Sequence, residues 1–254
     1  MTELLAIVSG VFVGFILGLI GGGGSIAATP LLLYVVGLPP HVAIGTGALA
    51  VSANAFANLG GHAYAGNVRW APAALFAATG VVGALIGSTV GKTFDGQHLI
   101  LLFAIMMLVV GAVMLRPRHA GGTAVTALVP HVVAKVAGVG LCVGVLSGFF
   151  GIGGGFLIVP GLIFATGMPT INAIGTGLFA VGAFGLATAL NYAASGMVNW
   201  TVAAEFIGGG LGGGWLGMKA ACYLAGQRHT LTRLFAVLVF AVAIYIIFRS
   251  LGRA

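Results

Sequence analysis

The stretch Gly21-Gly22-Gly23-Gly24-Ser25 returns 130 residues later as Gly151-Ile152-Gly153-Gly154-Gly155, and both copies interrupt sequence that is otherwise apolar enough for a bilayer. Consecutive glycines end a helix and bare backbone N–H and C=O groups. Hydrocarbon cannot hydrate those groups, so such breaks are tolerated only where protein or a watery path covers them. One break in each half of the chain marks a pair of candidate solute positions.

The flanking sequence sets the class. Hydrophobic residues make up 60% of the chain and charged ones 5%, where a soluble domain carries roughly 25% charged residues; the mean hydropathy is +1.18. The expected class is an all-α polytopic membrane protein, multi-pass and in the inner membrane. A crossing needs about 20 apolar residues, and eight long spans fit, roughly at 4–20, 41–61, 70–91, 98–115, 132–150, 171–194, 200–221 and 230–250. The apolar pieces 26–37 and 156–167 directly follow the breaks and read as short half-helices or re-entrant segments. The first apolar stretch follows Thr2-Glu3-Leu4 without a basic region or cleavage site, so it reads as a span of the mature chain.

The net charge of +7 comes from basic residues scattered singly at span ends, which fits positive-inside flanking and gives no nucleic-acid patch. Cys142 and Cys222 fall inside spans without metal-type spacing, so neither a disulfide framework, a metal site nor a cofactor is expected. Gly87-Ser88-Thr89-Val90-Gly91-Lys92-Thr93 is one residue short of a nucleotide-binding loop and lies at a span end. Ser25 with the distant His62 lacks the surroundings of a nucleophile, so no enzyme is expected.

Laying 14–70 over 144–200 without a gap aligns Gly14, Gly18, Gly23, Gly24 and Pro30 with Gly144, Gly148, Gly153, Gly154 and Pro160. Ala43-Ile44-Gly45-Thr46-Gly47 then falls on Ala173-Ile174-Gly175-Thr176-Gly177, and Trp70 on Trp200. The reading is two homologous repeats, 1–115 and 132–254, joined by a polar linker over 116–131. Five crossings per half would place Arg69, Arg116, Arg118, Lys135, Lys219, Arg228 and Arg233 on one side, against Lys92, Arg249 and Arg253 on the other. Four crossings would balance the charges more evenly, so the bias favours inverted-topology repeats with both termini outside the cytoplasm.

A new helix begins after each break. Its first N–H groups lack partners and carry the positive end of the helix dipole, which suits an oxyanion. The candidate substrate-binding residues of the breaks are Gly22, Gly23, Gly24 and Ser25, with Ser25 as N-cap, and Gly153, Gly154 and Gly155. Thr46 and Thr176 can offer hydroxyls to a substrate or bond to their own helix backbones. Asn54, Asn58 and His62 share one helical face, a row too polar for lipid that either lines a pathway or makes interhelical bonds. Their counterparts are Phe184, Thr188 and Tyr192, an apparent asymmetry, with Asn191 the nearest amide in the second half. Glu205 and His62 are the candidates for proton coupling, although Glu205 lies five residues from Trp200, where interfacial solvation is also open to it.

The pattern Gly14-x3-Gly18-x2-Gly21-x-Gly23-Gly24 with Pro30 and Ala43-Ile44-Gly45-Thr46, repeated from Gly144 to Thr176, resembles the sulfite exporter TauE/SafE family of bacterial permeases over nearly the whole chain. The resemblance implies a secondary transporter that exports sulfite, sulfoacetate or another organosulfonate with proton coupling. Gly47 and Gly177 stand where that family often has serine, removing one hydroxyl from each half. The expected partners are a small anion, protons and the bilayer. The alternatives are a passive anion channel, which the same helix termini would serve, and a non-transporting membrane scaffold.

Overall fold

The computed structural model of the chain describes residues 2–20, 24–115, 130–151, 155–224 and 240–244. Regular structure among them is helical: α1 (Thr2–Ile20), α2 (Ser25–Tyr34), α3 (Pro40–Tyr64), α4 (Trp70–Gly91), α5 (Gly96–Leu115), α6 (Pro130–Phe150), α7 (Gly155–Thr166), α8 (Thr170–Ala193) and α9 (Trp200–Leu224). Residues 240–244 are helical as well. α3, α4, α6 and α8 are each long and apolar enough to cross a bilayer, which makes this an all-helical, multi-pass membrane protein. α9 has the length, but its glycines, Glu205 and Lys219 dilute its hydropathy. Most of the linker and of the last expected span lies outside the described residues, and α6 begins at Pro130, inside the expected linker.

α2 and α7 have 10 and 12 residues. At 1.5 Å per residue they span about 15 and 18 Å, short of a hydrocarbon core of roughly 30 Å. The turns that leave them recur 130 residues apart: Gly37 and Gly167 have φ of +85° and +69°, followed by Pro39 and Pro169 as N-caps of α3 and α8. Gly66 and Gly196, with φ of +70° and +69°, do the same after α3 and α8. Only glycine takes that region without a Cβ clash.

The first helix of each half packs on the fourth helix of the other, α1 on α9 and α6 on α4. These contacts run backbone to backbone. A Cβ at Gly14 would come within 2.6 Å of the Gly210 Cα, and one at Gly144 within 2.6 Å of the Gly80 Cα. Gly10, Gly14 and Gly18 meet Phe206, Gly210 and Gly214, while Gly140, Gly144 and Gly148 meet Phe76, Gly80 and Ala84, so both pairs are parallel. Between helices surrounded by lipid no hydrophobic drive exists, and dispersion at such close approach is what holds them.

α3 and α8 cross at the centre and run in opposite directions: Gly45 lies against Tyr192, Gly185 against Ala48, and the Ser52 Oγ donates to the Gly182 carbonyl at 2.7 Å. Their apolar windows are 72% buried, against 44% and 39% for α4 and α6, which face outward. Two matching bonds tie this centre to the outer helices. The Thr46 Oγ1 accepts from the Asn199 N–H at 2.9 Å, and the Thr176 Oγ1 accepts from the Arg69 N–H at 3.0 Å. Each threonine holds the entry to a helix of the other half.

α5 starts on Asp95, whose carboxylate accepts from the backbone N–H groups of Gln97 and His98 and meets the His98 ring at 2.9 Å. The bond from the His98 backbone is the chief cause holding this exposed carboxyl below its usual range. Further along, the Phe103 ring packs on Phe150 and Phe156, which stand on either side of the second break in sequence.

The glycine contacts give a paired test. Gly14→Ala should sharply reduce the monodisperse protein recovered in detergent, because the new methyl has only backbone to displace. Gly208→Ala and Gly212→Ala, on the open side of α9, should be tolerated or raise the melting temperature by removing a helical glycine worth roughly 1 kcal/mol. Size-exclusion profiles of the three variants check it.

Candidate functional site

The polar row of α3 points inward. Asn54 is fully buried with neither amide atom hydrogen-bonded, Asn58 donates through Nδ2 to the Asn54 carbonyl at 2.9 Å, and His62 is buried with its Nδ1 unpartnered. Gly210 and Gly214 of α9 make room for the row: a Cβ at Gly214 would lie 2.7 Å from the Asn58 Nδ2, and one at Gly210 2.6 Å from the Asn54 Oδ1. The glycine run of α9 thus serves two faces, with α1 on one and the asparagines on the other.

The same face of α8 carries Phe184, Thr188 and Tyr192. Phe184 fills the place of Asn54: it covers Gly80 and stacks on Phe76 at 5.9 Å. Thr188 and Tyr192 are fully buried, and neither hydroxyl has a partner. Helical threonines usually bond back to the previous turn. Thr79, Thr89 and Thr166 do so, to Leu75, Leu85 and Leu162, whereas Thr188 does not. The asymmetry expected from the sequence is therefore confined to one position, and polar pairs at matched places occupy both central helices. Thr29 of α2 and Ser147 of α6 add two more buried hydroxyls without partners.

At the first break, Gly24 is the N-cap of α2 and Ser25 its first residue, so the expected Ser25 cap moves one residue back. The chain has folded back onto α1 there, and a Cβ at Gly24 would come within 2.6 Å of the Val13 carbonyl oxygen and 2.5 Å of the Leu17 nitrogen. Gly24 is thus also a packing residue. Ser25 and Gly155 are buried at the first positions of α2 and α7. Gly22, Gly23, Gly153 and Gly154 lie outside the described residues.

The remaining expected residues separate. Thr46 and Thr176 are fully buried, their oxygens occupied by the bonds between halves. Asn191 lies at the far end of α8, where its Nδ2 donates to the Ser88 and Thr89 hydroxyls at 2.6 and 3.0 Å and its oxygens accept from Lys92. Glu205 has a buried Oε2 without a partner. α9 runs parallel to α3 with Gly210 beside Asn54, so Glu205, five residues before Gly210, and His62, eight after Asn54, stand about 20 Å apart along the axis. They do not form a direct proton pair. An apolar groove of about 260 Å³ lies between Phe12, Pro30, Leu31 and Val242, away from all these groups.

This glycine-paired architecture has sequence relatives. The chain matches the sulfite exporter TauE/SafE family over residues 6–246. It belongs to that family. It is 57% identical to a probable membrane transporter protein of Xylella fastidiosa (strain Temecula1), over 97% of this chain and 95% of the relative. It is also 26% identical to the probable membrane transporter protein YunE of Bacillus subtilis (strain 168), over 99% of both chains. No solved structure matches. Family and relatives make the chain a membrane transporter.

Within this TauE/SafE protein, Thr188 and Tyr192 are the polar residues the sequence reading passed over as site members. The available signal was the offset itself, since each stands 130 residues after Asn58 or His62. Removing an unpartnered buried amide relieves a desolvation cost of about 1–3 kcal/mol. Asn54→Leu, close in shape, should raise the melting temperature in detergent while lowering transport roughly tenfold, the effect of about 1.4 kcal/mol at the transition state. Thermal melts and flux on the same preparation check both halves of the expectation.

Proposed function

We propose that this TauE/SafE protein is a secondary transporter that exports a small sulfur-containing oxyanion, sulfite, sulfoacetate or another organosulfonate, across the inner membrane with proton coupling. The observation that carries the reading is the set of buried side-chain groups without protein partners, Asn54 and His62 on α3, Thr188 and Tyr192 on α8. In a membrane interior such groups are costly and persist where they serve a polar solute. The buried starts of α2 and α7 add helix N-termini, which favour an oxyanion. In this reading Gly22 to Ser25 and Gly153 to Gly155 face the solute through their backbones, and the asparagines and hydroxyls replace its water.

The halves act as inverted repeats, and exposure alternates as one moves against the other. Support comes from the antiparallel crossing of α3 and α8, whose equivalent residues Ser52 and Gly182 touch, and from the reciprocal Thr46 and Thr176 bonds. Protons move through His62 or Glu205 acting separately, given their distance. The sulfur chemistry rests on the family to which the chain belongs.

Purified protein in liposomes should carry sulfite with saturable kinetics and respond to an imposed pH gradient. Flux that rises linearly with concentration would identify a passive channel, and the absence of flux for sulfite and sulfoacetate in folded protein would overturn the substrate reading. Glu205→Gln and His62→Ala assign the coupling: the variant that keeps flux but loses its response to the gradient carries the proton.

A further inference from the structure

Lys92 follows the last residue of α4 and is half-buried. Its Nζ donates to the Asn191 carbonyl at 3.1 Å, the Asn191 Oδ1 at 2.8 Å and the Ser195 hydroxyl at 2.9 Å, and lies 5.9 Å from the centre of the Tyr192 ring. Every acceptor is neutral. The chain has three acidic residues in all, and Asp95, the one near Lys92 in sequence, is exposed and bound to His98. The charge of Lys92 is held at the end of α8 with no carboxylate among the described residues to balance it.

Its position ties it to the second break. Gly91 lies against the Phe149 carbonyl of α6, 2.5 Å from where a Cβ would stand, and Phe94 meets the Phe149 ring edge-on at 5.2 Å. α6 ends one residue further, and Gly151, the residue after it, lies against Ile44 of α3, while the adjoining Gly45 lies against Tyr192. The end of α4, the end of α6, the beginning of α3 and the last turns of α8 therefore meet around the entry to the break. The unpartnered buried atoms there are the hydroxyls of Tyr192 and Thr188, one turn apart, and the Nδ1 of His41, whose ring centre is 6.3 Å from that of Tyr192. A cation without a counter-charge beside buried hydroxyl donors is the constitution of an anion site. The equivalent positions at the first break are Cys222, His62, Asn58 and Ile171, which supply no lysine or arginine.

We propose that Lys92, with the hydroxyls of Tyr192 and Thr188, forms the charge-recognising end of the solute path beside the second glycine break, and that it takes a small oxyanion. This rests on the anion-transport reading above and adds to it a recognition charge at the second break. Asn191 and Ser195 position the ammonium, whereas Lys92 touches the ligand, which displaces part of their hold on it.

The experiment measures two quantities on purified protein: the rise in melting temperature produced by sulfite, sulfate or phosphate at matched ionic strength, and the KM for sulfite in liposomes. Lys92→Gln should abolish the anion-induced rise and increase KM roughly tenfold or more, as expected for one lost charge-assisted contact. Lys92→Arg should retain most of both. Tyr192→Phe, which removes only an unpartnered hydroxyl and so spares the fold if Lys92→Gln does not fold, should raise KM several-fold. Lys135→Gln, which removes a cation of α6 set over the Phe164 ring of α7, serves as the charge control and should change neither. Unchanged stabilisation and KM in folded Lys92→Gln, or in Tyr192→Phe where Lys92→Gln fails to fold, would overturn the proposal. So would wild-type protein that none of the three anions stabilises. Lys92-dependent stabilisation by sulfate or phosphate without any by sulfite would uphold the site while overturning the sulfur reading.

Discussion

Close approach of helix backbones is the constraint on which the rest of this molecule depends. Lipid chains are as apolar as leucine, so burial of side chains cannot pull helices together as it does in water. The glycine rows of α1, α9, α4 and α6 let main chains touch instead, and because each contact joins one half to the other, neither half is a self-contained bundle. The central pair is then enclosed, with three-quarters or so of its apolar length shielded by protein. Only in such a shielded position can α3 and α8 carry amides and hydroxyls.

The same glycines shape the chemistry. Gly210 and Gly214 are bare on the side facing α3, and the space they leave is taken by Asn54 and Asn58; Gly80 gives its space to Phe184. One architecture thus receives a polar occupant near one break and an aromatic one near the other. Beside the breaks themselves, at the C-terminal ends of the central helices, the contrast reverses: Lys92, Asn191 and Ser88 form a polar junction at the second, where the matched positions Gly61 and Met218 at the first meet through a thioether. Near-symmetric backbones with unlike side chains give the two ends of the path different chemistry.

Much of the fold was legible in the sequence because glycine and proline act locally. The places where helices start and stop follow from Gly37, Pro39, Gly66 and their equivalents, whose conformations need no tertiary information. Tertiary register was not legible. Trp200 made Glu205 look interfacial and nothing in the sequence related it to His62; parallel packing of α9 on α3 sets the two about 20 Å apart along the axis. Thr46 and Thr176 read as solute ligands because their motif recurs, and their recurrence has a second physical cause: each hydroxyl caps the other half's chain. Thr188 and Tyr192 were invisible as a pair, since a threonine in a helix is ordinarily satisfied by its own backbone, and only coordinates reveal one that is not. Lys92, at a span end, was indistinguishable from a membrane anchor until its neighbours were known.

The bond from Ser52 to Gly182 joins two residues that occupy the same place in the two halves. A contact of this kind lies on the axis that exchanges the halves, so turning α8 over α3 about that point leaves the bond itself unstretched while the arms on either side swing. The two glycine breaks sit on opposite arms. In the alternating-access reading proposed above, opening around one then goes with narrowing around the other, as on a balance beam pivoted on that bond.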